Sequence, residues 1–204
     1  MSSIAIGFDR SLRLDWLDLL AGMAAEGVPV GEARTRLRSR LEDQITGREA
    51  LAKTVLVAQR VWYPTKSSHR RLRDSAISLI QTVAPHDRLA IQWGMVIAVY
   101  PWFRDCAAIM GRLLRLQSSF TAVQMRRRLI ERYGDRAIVA RAGRYTVQSC
   151  VQWGVLTMVS RRGVYERAIG LSIASLDVQR FLLEALMVAS ESVELSLTTV
   201  LELS

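Results

Sequence analysis

The chain has 204 residues, half of them hydrophobic, and its 28 basic residues outnumber its 19 acidic residues to give a formal net charge of +9. This composition excludes wholesale disorder, and a chain of this length buries roughly 70% of the surface that it would expose when unfolded. The two cysteines lie far apart in sequence and outside any CxxC motif, so we expect no disulfide framework and an intracellular, cytoplasmic protein.

The N-terminal half is patterned as successive amphipathic helices. Apolar spacing predicts helices over residues 11–26, 32–44, 48–62, 70–82 and 87–99, separated by breaks that contain glycine, proline or serine. The most apolar run, residues 89–103, contains Gln92 and Pro101 and is shorter than the ~20 residues that cross a bilayer. We therefore expect an N-terminal helical region over residues 1–100 and no membrane partner.

The pattern changes in the C-terminal half. A helix is predicted over residues 102–117 and a loop over 118–121, where Thr121 suits the N-cap of the next helix. Further helices are predicted over residues 122–133, 136–153 and 175–189, strands over 155–159 and 164–169, and an edge strand over 192–203. In the helix that follows Thr121, we expect Val123, Leu129 and Ile130 to face inward.

The excess positive charge is concentrated in this half. Residues 104–167 contain thirteen arginines and four acidic residues, a net charge of +9, whereas the remainder of the chain is balanced. Arginine forms bidentate hydrogen bonds with phosphates and with guanine edges, which lysine does not. The clustering therefore indicates a surface for nucleic acid.

A helix, a tight turn, a second helix and a hairpin follow one another in the order of a winged helix-turn-helix. In the second helix, the spacings of 3, 4 and 4 place four polar residues on one face. These residues are Arg141, Arg144, Gln148 and Gln152, and the residues expected to turn toward the core are Ile138, Tyr145 and Val151. We predict a mainly α fold, a helical bundle whose residues 101–204 form a winged helix-like DNA-binding region with a closing helix.

Each part of this arrangement has an expected role. Arginine pairs with guanine and glutamine with adenine in the major groove, so the four polar residues suit direct readout of base edges. Arg161 and Arg162 would lie at the tip of the wing, where they would reach a phosphate or the minor groove. The remaining candidates for contacts with the DNA backbone are Arg126, Arg127, Arg132 and Arg136.

Motifs for catalysis or cofactor binding are missing from the sequence. His69 and His86 are the two histidines and lie near neither a cysteine nor a carboxylate pair, so no metal site is expected. There is no GxGxxG or GxxxxGK[ST] motif to hold a nucleotide. We therefore expect a non-enzymatic protein without a cofactor.

Two other functions remain open at this point. A basic helical surface would also suit RNA, and exposed aromatic residues for base stacking would favour that alternative. The same surface could instead serve a protein–protein adaptor that meets an acidic partner. Apolar and polar residues alternate in part over residues 192–203, and such a strand could pair with that of a second subunit. A homo-oligomer is therefore also open.

Three short runs carry a resemblance to a known family. They are residues 99–105 (VYPWFRD), 119–121 (SFT) and 152–156 (QWGVL), the last of which directly precedes the predicted hairpin. In these runs and in overall layout, the sequence resembles the BrxA family of BREX phage-defence systems. The resemblance spans most of the chain. It implies a helical double-stranded DNA-binding accessory protein of a bacterial defence system, without catalysis and with other defence-system proteins as partners.

Overall fold

The computed structural model describes residues 6–160, 163–169, 173 and 175–190, and 71% of these residues are helical. This confirms the mainly α fold. The helices are α1 (Leu14–Ala25), α2 (Val30–Leu41), α3 (Arg48–Trp62), α4 (Ser67–Ile80), α5 (Arg88–Val99), α6 (Pro101–Leu116), α7 (Ala122–Tyr133), α8 (Ala137–Gln152) and α9 (Leu176–Ser190), with a 3₁₀ turn at Pro85–Asp87. The strands are β1 (Ser119–Thr121), β2 (Leu156–Ser160) and β3 (Val164–Arg167).

The predicted elements agree with the structure in type, with one exception. Helices α3 and α7 have the predicted bounds, and the other predicted helix ends lie within three residues of the observed ones. The exception is the loop predicted before Thr121, which contains the strand β1. The loop prediction was wrong because β1 exists only through pairing with β3, some 45 residues later in the chain. The edge strand predicted over residues 192–203 lies outside the described residues.

The described residues form two compact units. The first, called here the helical unit, contains residues 12–99 and α9. The second, the basic unit, contains residues 6–11 and the described part of residues 100–169. The sequence pattern groups α9 with the C-terminal region, whereas in the structure this helix packs against α4 and α5.

The helical unit is organised around α5. The buried Gln92 accepts a hydrogen bond of 2.8 Å from the Trp62 indole and donates one of 2.7 Å to Asp18, which ties α5 to α3 and α1. A Cβ at Gly94 would lie 2.7 Å from Phe181 of α9, so the glycine permits this close helix packing. No helix in the described part of the chain has both the length and the apolar content needed to span a bilayer.

The basic unit has an aromatic core on α6. Phe103 is fully buried, and its ring centroid lies 5.0 Å from that of Phe8 and 5.5 Å from that of Trp153. The neighbouring Trp102 donates a hydrogen bond of 3.2 Å to Thr146, which lies on the inner face of α8. Helix α6 therefore contacts both the N-terminal segment at Phe8 and the helix α8.

The three strands form a small antiparallel sheet in the order β1-β3-β2. Tyr165 in the central strand faces Phe120 on one side and Met158 on the other, and the pairing of β2 is irregular after Met158. The sheet therefore joins the segment before α7 to the hairpin after α8, because α7 follows one edge strand, β1, and α8 leads into the other, β2.

Helices α7 and α8 are separated by a three-residue turn. Thr121 and Gln124 form a capping box that begins α7, and Gly134, at φ +80°, ends it in a backbone conformation that favours glycine. Further along, a Cβ at Gly143 of α8 would lie 2.3 Å from a methyl group of Leu129, so the absence of a side chain lets α8 approach α7. Helix α8 is continuous through Gly143.

Candidate nucleic-acid interface

Helix α8 presents one exposed polar face. Arg141, Arg144, Gln148 and Gln152 are all exposed, as their spacing predicts, and Ala137 extends the face to the first turn. The opposite side of the helix is apolar and packs into the basic unit. Its buried residues include Val139, Ala142, Thr146, Val147 and Cys150. The structure thus brings the four predicted residues together along the length of one helix.

The inward face of this part of the fold differs from the prediction. Ile138, Tyr145 and Val151 are only half-buried, because the buried stripe of α8 runs through the smaller residues beside them. In α7, Met125 and Leu129 are the buried residues. The inward placement of Val123 was wrong, since this residue is 76% exposed, and Ile130 is half-buried. Small side chains allow the close approach of α7 and α8, and hydrophobicity alone does not reveal this.

The arginines of α7 are paired with acidic residues. Arg127 and Arg128 each lie 3.0 Å from the Glu131 carboxylate, and Arg126 lies 3.3 Å from Asp135. Hydrogen bonds from Arg128 and Arg127 lower the pKa of Glu131. These pairs are exposed and therefore weak, and their two carboxylates offset half of the charge of the four arginines on this helix.

Arg132 has a different environment. Its guanidinium lies 2.8 Å from Oδ2 of Asp105, whose side chain is only 6% exposed, and Tyr133 donates a hydrogen bond to the same oxygen. Arg104 lies 3.1 Å from the other carboxylate oxygen. Burial lowers the pKa of Arg132 whereas the Asp105 carboxylate raises it, and the net shift is upward. The structure gives Arg132 a contact that ties α7 to α6, and its contact with the DNA backbone stays a prediction.

The cations of α8 are not neutralised in this way. Arg136 at the N-cap, Arg141 and Arg144 form no ion pair with any residue that the structure describes. The Arg144 guanidinium lies 5.6 Å from the centre of the Tyr145 ring, which orients it without removing its charge. The free positive charge of the helix pair is therefore concentrated on α8.

The structure describes Gln152 at one end of the predicted site but not the two wing arginines at the other. Gln152, at the C-terminal end of α8, accepts a hydrogen bond of 3.0 Å from Ser11, so its amide already has a partner within the unit. Arg161 and Arg162 lie outside the described residues, and the structure describes only the strands β2 and β3 on either side of them. The N-terminal half of α8 is consequently the best-defined part of the candidate interface.

Sequence reasoning missed the Asp105 cluster. Asp105 contacts residues 27 and 28 positions later in the chain, and no local pattern predicts such contacts. The one available signal was a charged residue within the apolar face of α6, between Trp102 and Cys106. A buried carboxylate needs hydrogen-bond donors, and α7 supplies them through Arg132 and Tyr133.

Reactive groups elsewhere in the described residues are dispersed. No group of three or more histidine, cysteine or acidic residues is arranged to hold a metal ion in the part of the chain that is described. Cys106 and Cys150 are both buried, and burial raises the pKa of each thiol. Neither cysteine is therefore in the thiolate form that reacts near neutral pH.

Comparisons with known proteins returned no match to a family model, a curated protein or a solved structure.

Proposed function

We propose that the basic unit is a winged helix-turn-helix that binds double-stranded DNA, with α8 as the recognition helix. The order of elements supports this proposal: α6, β1, two helices joined by a three-residue turn, and then the hairpin of β2 and β3. The pairing of β3 with β1 also supports it, because this pairing holds the hairpin beside the helix pair.

One observation carries the proposal. The exposed face of α8 presents Arg141, Arg144 and Gln148 at helical spacing, and its arginines have no acidic partner among the described residues. An unpaired guanidinium on a helix face can form a bidentate contact with guanine or bind a phosphate. Recognition helices use their N-terminal residues most for base contacts, so we assign that role to Arg141 and Arg144 first.

The surrounding residues take supporting roles. Arg136, at the start of α8, would contact the DNA backbone, and the arginines of α7 would exchange their weak surface pairs for phosphates. Gln148 follows Arg144 by one turn and would contact adenine or the backbone. Arg161 and Arg162 stay proposed contacts of the wing on the basis of the sequence alone.

DNA is favoured over RNA by the tyrosines of the basic unit. Tyr133 is half-buried between Trp102 and Asp105, Tyr145 lies beside Arg144, and Tyr165 packs on Phe120. None of the three is an exposed ring of the kind on which single-stranded RNA bases stack. A matched RNA duplex is the corresponding control in any binding experiment.

We propose no catalytic role for this surface. Its polar groups are guanidinium and amide side chains, which supply neither a nucleophile nor a general base near neutral pH. The sequence resemblance to the BrxA family extends the proposal to an accessory role in bacterial phage defence. Substituting Arg141→Gln and Arg144→Gln in a host that carries the system should then reduce protection in a phage plating assay, and full protection would contradict this role.

The binding proposal is tested with two matched pairs of substitutions. Arg141→Gln/Arg144→Gln removes two unpaired cations from α8, and Arg127→Gln/Arg128→Gln removes two cations that are paired with Glu131. Both variants lose the same charge. We expect the α8 variant to weaken binding of a labelled duplex about tenfold or more and the α7 variant to weaken it much less. Equal losses would indicate a general charge effect instead of a recognition helix.

A further inference from the structure

A small cleft opens between α7 and α8 in the basic unit. Its volume is about 190 Å³, and its walls are largely apolar. The residues that line it from the two helices include Met125, Leu129, Ala140, Gly143 and Val147, and β3 contributes Tyr165. Gly143 and Leu129 lie against each other in this wall, since a Cβ at position 143 would lie 2.3 Å from a Leu129 methyl group.

The polar groups of the cleft are positively charged or neutral. Arg126 from α7 and Arg144 from α8 are exposed and also line it. The ion pair of Arg126 with Asp135 is exposed and 3.3 Å long, so a ligand can replace it at little cost. Tyr165 also lines the cleft, and no hydrogen bond joins its hydroxyl to any residue that the structure describes.

We propose that this cleft binds a monocyclic aromatic carboxylate. A cavity of about 150 Å³ with apolar walls accommodates one benzene ring, so this cleft has room for a single ring with its anionic group at the mouth. Arg126 and Arg144 line the slot mainly through their side-chain carbons, and their exposed guanidinium groups can turn toward its mouth. The site therefore complements a ligand that has one flat apolar end and one anionic end. The carboxylate would contact Arg144 and Arg126, and the ring would lie against Ala140 and Val147.

Occupation of the cleft has a consequence for the recognition helix, and this part of the inference rests on the proposed function. Arg144 lines the cleft and also lies on the exposed face assigned to DNA. A guanidinium bound to a ligand carboxylate is not available to a base or a phosphate. The ligand and DNA would therefore compete for Arg144, and the cleft would make DNA binding responsive to a small molecule.

Ligand binding can be tested without DNA. Benzoate is the probe, and the readout is the ¹³C-methyl NMR resonance of Met125 in the full chain, assigned with Met125→Leu. We expect a saturable shift with a dissociation constant on the order of 1 mM, as for a weak fragment-sized ligand. Benzamide, which has the ring without the charge, should bind more weakly, and acetate, which has the charge without the ring, should cause no shift.

Two matched pairs of variants locate the site. Ala140→Leu fills the cleft, and Ala137→Leu makes the same change at an exposed position of α8 that does not line it. Arg144→Gln removes a cation from the cleft, and Arg141→Gln removes one that lies outside it. We expect Ala140→Leu to abolish the shift, Arg144→Gln to weaken binding about threefold or more, and both control variants to bind as the wild type does. Circular dichroism checks that the variants keep their helical content.

The outcomes separate the ligand site from the proposed function. A Met125 shift that does not saturate, that benzamide reproduces with equal affinity, or that survives Ala140→Leu would overturn the ligand site. If benzoate binds but saturating benzoate leaves the affinity for a DNA duplex unchanged, the competition is overturned and the site stands. If the protein binds no duplex even without benzoate, the competition fails together with the proposed function, and the NMR titration alone decides the ligand site.

Discussion

Asp105 and Arg132 form an ion pair of 2.8 Å that joins α6 to the last turn of α7. The carboxylate is buried and the guanidinium is about half exposed, and the neighbouring Tyr133 donates a hydrogen bond to the same carboxylate oxygen. Because only three residues separate the end of α7 from the start of α8, the contact lies directly before the helix that we assign to DNA recognition. Asp105 thus ties the end of α7, and the turn into α8, to α6.

Removing the Asp105 carboxylate should destabilise the protein. Asp105→Ala leaves the Tyr133 hydroxyl without its acceptor and breaks the pair with Arg132, and we expect a loss of about 2–4 kcal/mol in the free energy of unfolding. Urea denaturation measures this change. Arg128→Gln, which affects only an exposed pair with Glu131, is the control and should cause no measurable loss. Equal stability of Asp105→Ala and the wild type would show that the cluster does not stabilise the fold.

A second prediction concerns the close approach of α7 and α8. Gly143→Ala places a methyl group 2.3 Å from a terminal methyl of Leu129, so this buried side chain must turn away. We expect the rearrangement to outweigh the higher helix propensity of alanine and to leave the variant less stable by about 1 kcal/mol. Gly22→Ala in α1 is the matched control, since nothing lies within 4 Å of its Cβ and it should stabilise the protein slightly. Thermal unfolding of both variants checks the prediction. Stabilisation by Gly143→Ala would contradict the tight packing described for this pair of helices.

The pH dependence of stability should reveal the environment of Tyr133. Burial and the hydrogen bond to Asp105 raise the pKa of Tyr133 above its usual value of about 10. The folded state therefore holds this proton more tightly than the unfolded chain does. Its contribution to stability is complete below about pH 10 and is lost as the pH rises toward the higher pKa of the folded state.

The comparison of the wild type with Tyr133→Phe isolates this effect from other groups that titrate at high pH. We expect the stability advantage of the wild type to be larger at about pH 8 than at about pH 11. Urea denaturation of both proteins at the two pH values provides the measurement. An advantage that stays constant with pH would mean that Tyr133 titrates in the folded protein as it does in the unfolded chain.

The features of this molecule that could be predicted from its sequence are those set by residues close together in the chain. The bounds of α7 followed from the cap at Thr121 and the glycine at position 134, and the exposed face of α8 followed from residue spacing. Contacts between distant residues could not be predicted in this way. Strand β1 requires β3, the burial of Asp105 requires donors from α7, and the packing of α9 requires the space above Gly94.

The same distinction applies to the candidate site. Spacing placed Arg141 and Arg144 on one exposed face, but it did not distinguish them from the arginines of α7. The difference is the acidic partner that each α7 arginine has, for example Glu131 beside Arg127. Partners three or four residues away could have been anticipated from the sequence, whereas those of Arg126 and Arg132 depend on the turn and on α6.

The most direct test of the central claim is the salt dependence of duplex binding, measured by fluorescence anisotropy for the wild type and for Arg141→Gln/Arg144→Gln. DNA binding through phosphates releases counterions, so the wild type should lose affinity steeply with salt, with a logarithmic slope of about −0.9 for each phosphate neutralised. The variant should bind about tenfold or more weakly at low salt, and the matched RNA duplex should bind less well than DNA. Absence of duplex binding at low salt, or a variant that binds DNA as tightly as the wild type, would contradict the assignment of α8 as a DNA-recognition helix.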